Sequence, residues 1–233
     1  MEKEETAKAE AKFNDRFSPY FHRSVDNLCN TLGIKSGSKS LNNLIIRGIL
    51  KTCKNDKDIS TFLDSPKFLL KTVQLTFLDT IKESLSLAPF KYCELASEKW
   101  DNSTLKAFFE ETTFVFFVFK ENAGVIYFER IVLWKAPKEL IESSIKETWE
   151  QVHDCVVNGT IVKYIDEKGR LITNFPGASD GIAIHVRPHA LNSQDCYPLP
   201  VADKVTGKLA FTKYSFWLNR GLVYKIVVLG GTK

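Results

Sequence analysis

TFVFFVFKENAGVIYFERIVLWKA, residues 113–136, sets the architecture of this chain. Two runs rich in β-branched and aromatic residues flank ENAG (Glu121–Gly124), whose Asn and Gly supply turn chemistry, so the stretch predicts a β-hairpin. Its apolar run Phe114–Phe119, like Ile161–Ile165, is far shorter than the roughly 20 apolar residues of a spanning helix. No membrane partner is expected. Upstream, FLLKTVQLTF (Phe68–Phe77) reads as a further strand, and WDNSTLKAFFEE (Trp100–Glu111) as helix or turn. Downstream, KELIESSIKETWEQVHDCVVNG (Lys138–Gly159) places Leu140, Ile141, Ile145, Trp149, Val152 and Val156 at spacings of three and four, which predicts a long amphipathic helix stopped at Gly159.

Further from the hairpin, LNNLIIRGILKT (Leu41–Thr52) carries helical spacing, and GIKSGSKS (Gly33–Ser40) before it reads as a loop. Residues 1–33 read as helical, either a small N-terminal segment or a linker, with Ser24 as N-cap and Gly33 as stop. The Glu, Lys and Ala of the opening block are also what a chain cut from a longer protein would show. From Thr160 onward short strands and turns follow. The whole reads as one α/β unit with two lobes, its main domain at residues 34–233.

The balance of 32 Lys+Arg against 28 Asp+Glu leaves a formal charge of +4. That is too mild to prove a polyanionic partner, so any such patch has to be a local concentration of charge. The opening residues are charged and lack an apolar core with a small-residue cleavage site, so a secretory signal is not read here and a cytoplasmic location is expected. Cys29, Cys53, Cys93, Cys155 and Cys196 are odd in number and far apart, which argues against a zinc cluster or disulfide framework. His22, His153, His185 and His189 form no HExxH.

Chemistry concentrates in IHVRPHALNSQDCYPLP (Ile184–Pro200) and KYSFWLN (Lys213–Asn219). The first is a strand-like run that delivers Arg187 and His189 beside the rigid Pro188. The second returns a cluster of Lys, Tyr, Phe and Trp. Donors for phosphates or base edges alongside flat apolar surfaces point toward a nucleic acid. Arg187 has a planar fork that fits guanine O6 and N7 or a phosphate oxygen pair; a structural salt bridge is the other reading. His189 reads as a contact or as a surface histidine, and Lys213 as a phosphate contact. Trp134 and Trp217 read as core rather than base-stacking residues. The loop before Leu41 brings Lys35, Lys39 and its hydroxyls to a helix N-terminus, a place for a phosphate or a solvated turn.

A loop KS before a helix, a strand carrying LLKT, a later WDNS, VLW, a long helix ending NG, then HVRPHALN and FWLN: this order resembles the MutH/Sau-type endonucleases, which cut at GATC as mismatch-repair nickases or type II restriction enzymes. The resemblance runs from about Lys39 to Val227 and is densest in the C-terminal third. It implies a MutH-like restriction-endonuclease fold, with a mixed central sheet flanked by helices and two lobes forming a DNA cleft. The chain is particularly similar to the C-terminal half of restriction enzymes built from two tandem MutH-like halves.

In that family a motif Asp, a Glu and a Lys two residues after the Glu hold Mg²⁺ and steady the developing charge of phosphodiester hydrolysis. Setting the family's ELK on FLLKT places the motif lysine on Lys71, the Glu on Leu69 and the Asp on Phe62, with Asp64 nearby. The helix acid falls on Arg47, and a further lysine falls on Phe108, with Lys106 close by in sequence. Hard divalent cations need several oxygen ligands, so the resemblance implies the fold without the reaction: no catalytic residues, with Lys71 as a vestige, and no metal or cofactor for this chain. Mg²⁺ is expected for the active half of a parent enzyme. The binding parts persist on Lys39, Ser40, Arg187, His189, Lys213 and Tyr214. The implied role is a silent effector half, which binds double-stranded DNA carrying GATC and biases an N-terminal catalytic half; a homodimer on DNA is a further partner state.

Two other readings stay open on the residues. In one, Asp64, Lys71 and Glu94 or Glu98 assemble an unusual Mg²⁺ site in an active nuclease. In the other, the hairpin Phe114–Leu133 serves as a dimerisation surface without DNA.

Overall fold

The computed structural model describes residues 2–38, 40–52, 67–180 and 182–230. They divide into two compact units that interleave along the chain: Met1–Glu83, Glu111–Ala136 and Val223–Lys233 form the first, Ser84–Glu110 and Pro137–Leu222 the second. In place of one central sheet there are two three-stranded sheets, one per unit, plus two short ribbons.

The first unit is built on the hairpin read from the sequence. β1 (Phe68–Leu75) runs parallel to β3 (Thr113–Asn122), which pairs antiparallel with β4 (Val125–Lys135) in the order β1-β3-β4. β3 is the central strand, and every residue from Phe114 to Phe119 is fully buried. That explains its unbroken apolar run: a strand covered on both faces has no polar side to alternate with. Val115, Phe117 and Phe119 face a cluster formed with α1 (Glu2–Phe17), α2 (Val25–Leu32) and α3 (Leu41–Thr52), through Phe13, Phe17, Leu28, Ile45 and Ile49. The opening helix is therefore packed against the sheet, not a detached linker. Phe13 and Phe17 are fully buried, and Asn14 holds β4 by accepting from the N–H of Ile131 (3.3 Å). Ser24 accepts from the N–H of Asn27 and Gly33 ends α2 at φ 66°, the caps read from the sequence.

In the second unit, β2 (Leu85–Pro89), β10 (Tyr214–Leu218) and β7 (Ile184–Pro188) form an antiparallel sheet with β10 in the middle. Two ribbons, β5 (Val162–Ile165) with β6 (Leu171–Thr173) and β8 (Cys196–Pro198) with β9 (Ala210–Thr212), complete its strands. Short helices α4 (Tyr92–Ser97) and α5 (Thr104–Glu111) follow β2, and α8 (Arg220–Val227), which follows β10, passes into the first unit at Val223. The long helix runs as α6 (Lys138–Leu140), a π-helical stretch Ile141–Ile145, and α7 (Lys146–Val157). Its apolar stripe is buried at Ile141, Ile145, Trp149, Val152 and Val156.

The polar side of that helix positions β7. Ser144 Oγ accepts from the N–H of Ala183 (3.0 Å), and the Thr148 hydroxyl donates to the carbonyls of Ser144 and Ile184. Beyond Gly159 the chain is locked by buried Asp203, which accepts from the N–H groups of Val162, Val205 and Thr206 and from the Thr206 hydroxyl. Burial works to raise the Asp203 pKa, but these donors outweigh it and hold the carboxyl below its ordinary range.

Candidate functional site

The central strand of the second sheet sorts its side chains by the period of two. Tyr214 and Phe216 point to the core, Tyr214 against Phe175 and Phe211, Phe216 against Phe90. Ser215 and Trp217 point the other way, opposite Arg187 and His185 in the ladder with β7. Tyr214, placed among the DNA-binding groups from the sequence, is thus a buried core residue, and burial raises its phenol pKa. An alternating strand cannot present Tyr214 and the Ser215–Trp217 pair on the same face.

On the Ser215–Trp217 face, the Arg187 guanidinium carbon lies over the Trp217 ring, 5.0 Å from its centroid. A planar cation stacked on indole is attracted electrostatically and loses freedom before any ligand arrives. His189 is held from two sides. Its N–H donates to the Lys213 carbonyl (2.8 Å), and its Nδ1 is 3.1 Å from Ser215 Oγ, with the imidazole tilted toward Trp217 at 6.0 Å between centroids. Nδ1 is committed to Ser215, so Nε2 is the nitrogen that can meet a ligand. Arg187 and His189 are both exposed. Two residues before Arg187 on the same strand, His185 is completely buried, with neither ring nitrogen hydrogen-bonded among the described residues. Burial first, and then the Arg187 charge, push its pKa down to about 4, with Asp180 opposing.

Lys213, read from the sequence as a phosphate contact, is engaged within the protein. Its Nζ pairs with Asp195 at 2.5 Å and lies 4.7 Å from the Tyr197 ring centroid, while its N–H donates to the Asp195 carbonyl. The side-chain hydrogen bond to Asp195 raises the Lys213 pKa, and the same bond lowers that of Asp195. Lys213 is thereby the clasp of the loop Ala190–Asp195.

Ser40 belongs to the first unit, where it is exposed and immediately precedes α3. Its carbonyl accepts from the N–H of Leu44 (3.0 Å), and its Oγ lies 3.0 Å from that of Ser38. Lys39, Phe62 and Asp64 lie outside the described residues.

The remaining motif positions sit in very different surroundings. Leu69 and Lys71 share one face of β1, and the ladder sets Phe114, Phe116 and Val118 beside them on β3. Burial lowers the Lys71 pKa. Arg47 is exposed on α3. Phe108, half-buried on α5, packs edge-on against Phe109. Lys106 is tied into a knot, 2.7 Å from Glu142 and 3.5 Å from Asp101; Glu142 also accepts from Trp100 Nε1 (2.9 Å). A divalent cation asks for several oxygen ligands. Leu69, Phe108, Phe114 and Phe116 offer hydrocarbon and Lys71 a cation, so these residues do not fit the family's metal. Among the described residues, no group of three or more His, Cys, Asp or Glu is placed to hold one.

No protein-family model matches the chain. Its sequence is nevertheless similar to that of a curated restriction enzyme. It is 32% identical to the Type II restriction enzyme Sau3AI of Staphylococcus aureus across an alignment of 245 residues, covering 91% of this chain and 50% of that enzyme. The chain therefore spans about half the length of the curated relative it matches. No helix among the described residues is long and apolar enough to cross a membrane.

Sequence reading named Arg187 and His189 but not the contacts that hold them. Ser215 and Trp217 bear on His189 and Arg187, and Asp195 bears on Lys213. For the first two, the alternation in YSFWL was the available signal.

Proposed function

We propose that this chain is a sequence-specific DNA-binding domain of a type II restriction endonuclease, that it recognises GATC, and that it does not itself cleave. The carrying observation is the exposed pair Arg187 and His189, one stacked on Trp217 and the other fixed by Ser215. A fork oriented before binding suits bidentate contact with guanine O6 and N7, and a histidine with one nitrogen committed suits a single further hydrogen bond. GATC comes from the resemblance. The silence of the reaction rests on Leu69, Phe62, Phe108 and Arg47 at the motif positions, with Lys71 as vestige. Ser40 and Lys39 serve in this reading as backbone contacts at the start of α3.

In such a role the domain acts as an effector. Binding one copy of the site biases a catalytic half in the same parent chain, which holds Mg²⁺ and hydrolyses another copy. A homodimer on DNA is compatible with the scheme. The test is titration of the chain, with and without Mg²⁺, against labelled duplexes carrying GATC or a scrambled site. Selective binding without cutting is expected, weakening steeply as salt rises because phosphate contacts release counterions. Equal affinity for the two duplexes refutes the recognition, and Mg²⁺-dependent cleavage refutes the silence.

A further inference from the structure

The loop Ala190–Asp195 leaves β7 directly after His189 and carries Leu191 with 93% of its surface exposed; the next most exposed large apolar side chains are Leu78 at 67% and Phe77 at 65%. Isolated surface leucines are common and need no explanation. This one differs because its backbone is fixed. The Leu191 N–H donates to Asp195 Oδ2 (3.0 Å), the Asp195 N–H to the Asn192 carbonyl (3.2 Å), and the Gln194 N–H to Asn192 Oδ1 (2.9 Å). Asp195 is in turn held by the ammonium and the N–H of Lys213. The clasp holds in water a side chain that has no polar atom to solvate, on the loop that continues from the arginine and histidine of the candidate recognition face.

We propose that Leu191 is a second base-reading side chain, contacting the C5-methyl group of thymine in the major groove. This rests on the DNA-binding reading above. Leucine can neither donate nor accept a hydrogen bond, so phosphates and the polar base edges give it nothing. In the major groove the thymine methyl is the feature that rewards hydrocarbon. Arg187, in pairing with guanine O6 and N7, brings the loop that follows it to that same groove. Arg187 then reads guanine by hydrogen bonds and Leu191 reads thymine by burial.

The probe is a GATC duplex with thymine in the site and its twin with uracil, which lacks the methyl group and keeps every hydrogen-bonding atom. The full chain is titrated against both, as are Leu191→Ala and Leu191→Met. The native chain is expected to bind the uracil duplex about fourfold more weakly for each methyl removed. Leu191→Ala should bind the two alike, at the weaker level, and Leu191→Met should keep most of the preference. A native chain that prefers GATC over a scrambled site but ignores the methyl overturns this inference alone, as does a Leu191→Ala variant with an undiminished thymine preference. A native chain that binds no duplex selectively overturns the DNA-binding reading as well.

Discussion

Two sheet faces in this molecule have opposite chemistry. On the first unit's sheet, Lys71 shares the β1 face with Leu69, and Phe114 and Phe116 adjoin it on β3. On the second unit's sheet, Arg187 lies over Trp217 and Ser215 holds His189, with both Arg187 and His189 exposed. In the first case apolar neighbours desolvate a cation and lower its pKa; in the second an aromatic ring supports a cation without removing it from water. Aromatic residues flank a basic group on both faces. What separates them is whether the ring lies beside the charge in the core or beneath it at the surface.

The largest expected effect attacks the exposed face. Arg187→Ala should weaken binding of a GATC duplex roughly 100-fold, about 2.7 kcal/mol, and erase its preference over a scrambled site. Arg187→Lys should recover part of the affinity and little of the preference, because an ammonium lacks the planar fork. Titration by fluorescence anisotropy checks both, and an unchanged preference in Arg187→Ala would dissolve the contrast. Next comes the apolar face. Leu69→Glu puts a carboxylate beside Phe114, at the position where the resemblance expects one, and is expected to lower stability by about 2 kcal/mol in urea unfolding while producing no Mg²⁺-dependent cleavage. Cleavage by that variant would show that the face still holds a metal centre.

A third effect depends on pH. His185 is buried on the strand that carries Arg187, with its pKa pushed down from the ordinary 6.5 to about 4. As pH falls through this window the unfolded chain takes up a proton that the folded chain refuses, so stability declines from about pH 6.5 to about pH 4 and this contribution levels off below. His185→Phe should flatten that decline, seen as a Tm that changes less than the native one between pH 7 and pH 4. Parallel curves would mean that His185 does not titrate as its burial requires.

The hairpin 113–136 and the long helix were legible because each is specified locally, by β-branched and aromatic runs around a turn and by apolar spacing of three and four. Tyr214 was misplaced because KYSFWLN carries aromatic residues on both faces of one strand, which hides the alternation that puts Tyr214 in the core and Trp217 under Arg187. The Lys213–Asp195 clasp was beyond reach, since no spacing rule joins two residues that meet only after β8 and β9 have paired. The division into two units was equally hidden, because it follows from long-range packing of segments that alternate along the chain.

That alternation bears on how the protein is made. The second unit has all its residues once Leu222 has left the ribosome, whereas the first, which contains Met1–Glu83, still lacks Val223–Lys233. Until then Arg130 of the hairpin has no Val227 carbonyl to donate to, a contact of 2.6 Å in the finished fold. Domains generally fold in N-to-C order during synthesis. Here the unit that contains the earliest segment is completed last: its three-stranded sheet has all its strands by Lys135 but waits for Val223–Lys233, the last segment of its own unit.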